Sequence, residues 1–178
     1  MNILFIGDIV GKGGRRAVIA LAPKLRREYD CAFCIANGEN MAGGGGMTRK
    51  CVNALDAGLV NVITGGDHMW DQRDFVTDIE DLPHVLRPAN ANTDQPGAGW
   101  GVFRAAGGDD VGVVCLLGRS FMGTRADSPF VVADRVVEQL RQQTACIVVD
   151  MHAEATSEKI AMGRYLDGRV SAVIGTHT

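Results

Sequence analysis

The chain lacks a long apolar run at its amino terminus: Ile3 to Ile6 is broken at once by Gly7 and Asp8. Such a run is too short for the core of a signal peptide, and far short of the roughly 20 apolar residues of a membrane-spanning helix. A cytoplasmic protein with no membrane partner is therefore expected. A strong charge of either sign is also lacking. The formal net charge is -3 and the pI about 5.8, which gives no broad attraction to nucleic acid, so no stable DNA binding is expected. Arg15, Arg16, Arg26 and Arg27 read as solvated helix faces. The cysteines lack an even count. Five thiols, Cys31, Cys34, Cys51, Cys115 and Cys146, suit a reduced compartment better than a disulfide framework. Cys31 and Cys34 stand three apart in a β-type run and so point to opposite faces, unlike a redox pair at a helix N-terminus. No internal repeat or long low-complexity segment is visible, and Gly43 to Gly46 is a local loop.

Three familiar nucleotide and hydrolase motifs are also missing. Gly7 to Gly13 has the look of a phosphate-cradling loop, but its glycine spacing is one residue short and Gly13 stands where Ser or Thr is required. The dinucleotide fingerprint fails at Arg16, where its third glycine belongs. There is no G-x-S-x-G nucleophile elbow.

What is present is an ordinary globular composition, 46% hydrophobic and 22% charged over 178 residues, enough for a single domain spanning 1–178. Short runs of branched apolar residues alternate with stretches of helical period, the pattern of βαβ units around a largely parallel sheet. Strands are expected at Asn2–Gly7, Ala32–Asn37, Asn61–Thr64, Val111–Leu117, Cys146–Met151 and Val170–Ile174, with an antiparallel strand at Gly101–Ala106. Helices are expected at Gly14–Glu28, Arg49–Ala57, Gln72–Ile79, Pro129–Gln142 and Ser157–Leu166. The first should bury Val18, Leu21, Ala22 and Leu25. Between Leu82 and Gly108 the pattern loosens into an irregular crossover.

Chemistry-bearing residues collect where the strands end. Asp8 follows the first, Glu39 and Asn40 the second, Asp67 and His68 the third, and His152 and His177 follow two later ones. Carboxyl ends in an open parallel sheet share one edge, where such folds bind ligands. Converging carboxylates repel one another and are each penalised by desolvation, a conflict that a cation removes. Mixed oxygen and nitrogen donors without thiolate suit Mn²⁺, Fe²⁺, Zn²⁺ or Ni²⁺ better than Ca²⁺. Glu39 can bridge two ions, which would lower the pKa of a shared water and hold a phosphoryl oxygen. Taken singly, Asp8 reads as a turn or cap residue and His68 as a core histidine; together they do not. Asp150 and Glu154 are expected to support ligands rather than to ligate. Trp70 is expected beneath the site, base stacking being the alternative. His84, in the irregular region, is assigned no role.

Asn37-Gly38-Glu39-Asn40, Gly66-Asp67-His68-Met69-Trp70-Asp71, Arg87-Pro88-Ala89-Asn90, His152-Ala153-Glu154-Ala155-Thr156-Ser157-Glu158-Lys159 and Gly175-Thr176-His177-Thr178, together with Gly7-Asp8, carry a wider likeness. In these blocks and their spacing the chain resembles the YmdB-type bacterial metallophosphoesterases. The resemblance implies a calcineurin-like α/β/β/α sandwich and a metal-dependent phosphodiesterase acting on phosphodiester bonds, with 2′,3′-cyclic nucleotides as the substrate class. It implies two divalent transition metal ions, Fe or Mn ahead of Zn. Asp8 and Asn40 would serve one ion, Glu39 would bridge, and Asp67, His152 and His177 would complete the second. His68 would act as the catalytic group beside the phosphate, and Arg119 could face the phosphate or make a surface ion pair. Self-association into a homo-oligomer is also implied.

Two departures from the pattern stand out. Asp67 replaces the asparagine of the family's G-N-H motif, adding negative charge that should tighten ion binding, lower Lewis acidity and repel phosphate. The family continues Gly-Thr-His-Thr-His where this sequence ends at Thr178, so a sandwich lacking C-terminal strands, with an exposed edge, is expected. These departures favour the main rival, a non-catalytic regulatory or partner-binding protein that keeps the scaffold. A phosphomonoesterase is a third reading.

Overall fold

Alternate residues of one buried strand face different hydrophobic cores, and this pattern organises the whole molecule. In the computed structural model, which describes residues 1–56, 58–92 and 94–178, β1 (Asn2–Ile6), β2 (Cys31–Asn37), β3 (Val62–Thr64) and β4 (Val85–Leu86) form a four-stranded sheet in that order. All its pairings are parallel. From β2, Cys34 and Ala36 enter one core while Phe33 and Ile35 enter another, as the two-residue period of a strand dictates. A strand buried on both faces is the mark of a covered parallel sheet.

The second sheet holds β5 (Trp100–Arg104), β6 (Asp110–Leu117), β7 (Cys146–Ala153) and β8 (Ala172–His177). Only β5 runs antiparallel, paired with β6. Helices α1 (Gly11–Glu28) and α2 (Arg49–Asp56) supply Val18, Ala22, Val52 and Leu55 to a core on the outer face of the first sheet. Helices α4 (Pro129–Arg141) and α5 (Thr156–Tyr165) supply Val132, Val136, Leu140 and Met162 to the outer face of the second. Between the sheets, Phe33, Ile35, Val62 and Leu86 meet Val111, Val113, Cys115 and Val148. Three cores thus separate four layers, helices, sheet, sheet and helices.

A single largely parallel sheet, as the alternation of elements suggested, is therefore corrected to two. Periodicity reports that strands alternate with helices and is silent on which strands pair. Val85–Leu86 went unread because two residues carry no period. The helix expected from Gln72 is shorter: residues 72–77 close with Phe75 N–H to Gln72 O at 3.0 Å and Thr77 N–H to Asp74 O at 3.2 Å. These are three-residue bonds of 3₁₀ type, and the α-helical part is α3 (Phe75–Asp78) alone. Ala57, expected to end α2, lies outside the described residues. On α1, Leu21 is 51% exposed while Val18 and Ala22 are buried. At 100° per residue, Leu21 lies about 60° from Val18 on the side away from Ala22, at the margin of the stripe.

Among the described residues no helix is long and apolar enough to cross a membrane. The Cys31–Cys34 pair behaves as a strand pair should: Cys34 is buried, Cys31 half-buried, and burial pushes the Cys34 thiol up to about 11. Cys34 is expected to resist iodoacetamide at pH 8 in the native protein and to react only on unfolding, as mass spectrometry would show. Phe33, fully buried between the sheets, sets a second expectation. Phe33→Ala should cost about 3–5 kcal/mol, read as a lowered urea midpoint.

Candidate metal centre

Three loops of the first sheet and two strand ends of the second meet at one end of the sandwich. Asp8 follows β1, Glu39 and Asn40 follow β2, and Asp67 and His68 follow β3. From the other side come His152, inside β7 rather than after it, and His177, the last residue of β8. In the sheet, His152 pairs with Thr176 and Ala153 with His177; strand alternation alone would send the two imidazoles to opposite faces, but the positive φ of His177, 86°, breaks that alternation and the rings meet at 4.9 Å. Asn37 Nδ2 donates across the junction to Asp150 Oδ2 at 3.1 Å and locally to Gly65 O at 2.9 Å, tying the ends of β2 and β3 to β7.

Four of the six expected ligands converge. Glu39, Asp67, His152 and His177 each present a donor atom within 4.8 Å of the others. His152 Nε2 stands 3.2 Å from Glu39 Oε1 and 3.3 Å from Asp67 Oδ1. His177 Nδ1 lies 3.1 Å from His152 Nε2, 3.9 Å from Glu39 Oε1 and 3.8 Å from Asp67 Oδ1. Metal–ligand bonds of about 2.0–2.2 Å place neighbouring donors roughly 3.3–3.5 Å apart in a tetrahedron and about 2.9 Å in an octahedron. Three of the five separations fall in that range, and the two longer ones, 3.8 and 3.9 Å, lie within about half an ångström of it. Asp67 Oδ1 supplies a second test of fit. It is buried and, although near His152, makes no hydrogen bond of acceptable geometry, so a carboxylate oxygen is left facing the centre without a partner.

Glycine keeps the centre open. A Cβ on Gly66 would overlap Glu39 Oε2 and stand 2.5 Å from His152 Nε2, filling the space toward which the donors turn. Electrostatics agree with the steric picture. Burial lowers the His152 pKa, but contact with Asp67 and Glu39 outweighs it and lifts it to about 10. Burial likewise raises Asp67, while contact with His152 and backbone N–H outweighs that and holds it below the ordinary carboxylate value. Without a cation, then, a proton on His152 supplies the positive charge that two desolvated carboxylates require.

The remaining expected residues sit around this set. Asp8, half-buried, accepts the His177 backbone N–H at 3.1 and 3.2 Å on its two oxygens. Asn40 donates through Nδ2 to Glu39 Oε1 at 2.7 Å. Asp8 lies outside the four-donor cluster, and Asn40 touches it through Glu39. His68 is exposed at the mouth, with Nδ1 2.9 Å from Asp71 Oδ2 and Nε2 3.8 Å from Asp67 Oδ2. The Asp71 carboxylate, chiefly, raises its pKa against burial. Arg119 is exposed and makes no ion pair among the described residues; its backbone N–H is held by Glu158 at 3.0 Å.

Support for the centre includes residues that sequence reasoning missed. Asp150, fully buried, accepts hydroxyls from Thr64 at 2.5 Å and Thr176 at 2.6 Å, and Thr176 Oγ1 is 2.9 Å from His152 Nδ1. Glu154 Oε2 lies 3.0 Å from His177 Nε2. Asp150 and Glu154 stand behind expected ligands, whereas Thr176, Asn37 and Asp71, which touch His152, Glu39 and His68, were given no such role; Thr64 touches Asp150 alone among these groups. A threonine or asparagine near a strand end has no signal of its own beyond adjacency to a ligand. Trp70 packs at 6.2 Å from Phe75 on the first core, which supports the site's loop and not a base-stacking role. His84 faces Asp56 at 2.7 Å, away from the centre. A cleft of about 790 Å³ opens instead at the starts of the strands, between Ile3, Phe5, Val148 and Ile174, and among the described residues no metal-binding cluster lines it.

The fold and site define a four-layer α/β sandwich whose strand ends carry a largely buried carboxylate–imidazole cluster that could hold a metal ion. The chain belongs to the YmdB-like protein family, whose pattern matches residues 4–178. It is 45% identical over 178 residues to the 2′,3′-cyclic-nucleotide 2′-phosphodiesterase of Bacillus subtilis (strain 168), covering 100% of this chain and 67% of that protein. Among solved structures it resembles a hypothetical protein from Thermus thermophilus, with a TM-score of 0.90, 40% identity and 100% and 68% of the two chains covered. It also resembles a phosphatase from Mycoplasma pneumoniae, with a TM-score of 0.88, 33% identity and 99% and 63% covered. The chain spans about two thirds of the length of these relatives.

The Gly66 contact yields an expectation separable from folding. Gly66→Ala should abolish calorimetric binding of Mn²⁺ or Zn²⁺ while far-UV circular dichroism stays that of the wild type.

Proposed function

We propose that the protein is a metal-dependent phosphodiesterase whose substrates are compact phosphodiesters, with 2′,3′-cyclic nucleotides the class to try first. The observation that carries this is the four-donor cluster with its unpartnered Asp67 oxygen. The Bacillus relative, identical at 45% of positions, supports the substrate class.

On this reading Glu39, Asp67, His152 and His177 hold one divalent transition metal ion, Fe or Mn ahead of Zn. Asp8 and Asn40, with Glu39 as the bridge, hold a second. The pair, when bound, supplies Lewis acidity toward a phosphoryl oxygen and a nucleophilic water at neutral pH. The chain's own residues do the rest. Asn40 would turn its Oδ1 inward in place of the Nδ2 that now meets Glu39. Asp8 braces the end of β8 through the His177 backbone N–H, so the ligand and its neighbouring strand end move as a unit. His68, at the mouth, is oriented by Asp71 on Nδ1, which leaves Nε2 as the atom able to pass a proton to the leaving oxygen. The absence of bulk at Gly66 leaves room for phosphate between His68 and the buried donors.

A second reading, a scaffold holding a single ion and acting through a partner, has one observation in its favour. Asp8 and Asn40 already have protein partners, and Asp8 stands outside the four-donor cluster. Turnover decides between the two. With Mn²⁺, the protein should hydrolyse 2′,3′-cAMP and bis-p-nitrophenyl phosphate faster than the corresponding monoesters. Chelation should abolish this, and Mn²⁺ should restore it. Glu39→Ala should lower the rate by at least about 100-fold. An unchanged rate in that variant would count against the metal reading, and hydrolysis of monoesters alone would make the protein a phosphomonoesterase. Asp67→Asn should raise turnover severalfold and weaken ion binding, because it removes a charge that opposes both Lewis acidity and phosphate approach.

A further inference from the structure

Beneath the four donors lies a polar cluster that touches no substrate space: Asn37, Thr64 and Asp150 are fully buried, and Thr176 is 2% exposed. Carboxylates of this burial are rare without a cation beside them. Asp150 is satisfied instead by three donors, the Thr64 and Asn37 groups on Oδ2 and the Thr176 hydroxyl on Oδ1.

The protons in this cluster can be placed one by one. Asn37 Oδ1 faces the Glu39 backbone N–H at 3.3 Å, which fixes the other end of the amide as nitrogen. Its two hydrogens go to Gly65 O and Asp150 Oδ2, so neither is free for His152 Nδ1, 3.3 Å away. The single hydroxyl hydrogen of Thr176 goes to Asp150 Oδ1 at 2.6 Å. One short contact is then left without a donor, Thr176 Oγ1 to His152 Nδ1 at 2.9 Å, and the only hydrogen able to fill it is the imidazole's own. The opposite arrangement, Thr176 donating to an unprotonated Nδ1, would strip a fully buried carboxylate oxygen of its partner.

We infer that Thr176 is a positioning residue: with its hydroxyl held by Asp150, it accepts the His152 Nδ1–H and thereby turns the Nε2 lone pair onto the metal centre formed with Glu39, Asp67 and His177. The inference rests on the metal-dependent reading above. His177 is treated in a parallel way, its Nε2 lying 3.0 Å from Glu154 Oε2, but Glu154 is half-exposed and water can replace it. Water cannot reach Thr176. The hydroxyl is therefore the partner whose loss the centre should register.

Thr64 provides a matched control, because its hydroxyl binds the same Asp150 carboxylate at equal burial and lies off the path to His152. A purely structural role for the cluster predicts equal effects of Thr176→Val and Thr64→Val. Positioning predicts that both lower the thermal midpoint, whereas only Thr176→Val weakens calorimetric Zn²⁺ affinity, by about 10–100-fold. Thr176→Ser should restore affinity to within about threefold of wild type. Equal affinities in Thr176→Val and Thr64→Val would overturn the inference, as would a serine variant as weak as the valine one. Should Thr176→Val fail to fold, the imidazole protons of Zn²⁺-loaded wild type decide: an ordered, slowly exchanging His152 Nδ1–H is expected, and a rapidly exchanging one would overturn the inference. A wild type that binds Zn²⁺ with no difference among variants defeats this inference alone. A wild type that binds no divalent ion defeats the metal reading and this inference together.

Discussion

Glu39 and Asp67 turn carboxylate oxygens toward the same few ångströms of largely desolvated space, and the rest of the site can be understood as the means of tolerating that. Two negative charges removed from water repel each other and forfeit hydration, at a cost of several kcal/mol each unless positive charge intervenes. The protein supplies imidazoles from the opposite sheet rather than lysine or arginine. A neutral imidazole gives way to a cation, whereas a guanidinium would occupy its place permanently. Gly66 follows from the same constraint, since a side chain there would displace the very volume that the charges surround.

The donors come from two sheets, so their spacing is set by the core between those sheets. Phe33, Ile35, Val62 and Leu86 from one side interleave with Val111, Val113, Cys115 and Val148 from the other, at the density of a solid. Two hydrogen bonds carry that spacing to the strand ends, Asn37 to Asp150 and Cys115 Sγ to Gly65 O at 3.4 Å. Gly65 immediately precedes the glycine and aspartate of the centre. Packing two or three residues below the site is thus coupled to donor geometry through short, buried links. Burial pushes the Cys115 thiol well above its ordinary value, so it stays a neutral, inert member of that chain.

Much of this was legible in the amino-acid sequence, and what was not has physical reasons. Each expected ligand stands at or just beyond the end of an apolar run, and strands are recognisable by such runs; that is why Asp8, Glu39, Asn40, Asp67, His152 and His177 could be nominated as a group, four of which the structure gathers. Their division between two sheets could not be read, because pairing is a tertiary property that leaves no period in the chain. The likeness of six sequence blocks to one family supplied the sandwich that composition and spacing could not. Thr176 shows the limit at the level of single residues. Its neighbour His177 announces itself by chemistry, but a threonine is equally at home as a β-former on any strand, and only three-dimensional adjacency to Asp150 and His152 gives its hydroxyl a task. Asp71 was likewise visible in a motif block without a role, because its partnership with His68 depends on the turn between them.

On the proposed reading the two ion positions are unequal, and the inequality is built into burial. Glu39 and His152 are wholly buried, the Asp67 and His177 side chains are 11% and 21% exposed, and their donor atoms already converge. Asp8 and Asn40 stand at the half-exposed side, each engaged with a protein group that it must share or release. An ion entering the first position would have to displace the His152 proton, so its affinity would weaken as pH falls, and would satisfy an orphaned carboxylate oxygen. One entering the second must reorient an amide and compete with water. On that reading the first position would be the better preformed of the two, its donors already gathered within 4.8 Å of one another. Glu39, with one oxygen on the His152 side and the other accepting the His68 backbone N–H at 3.1 Å, touches both a donor of the cluster and the loop that carries His68.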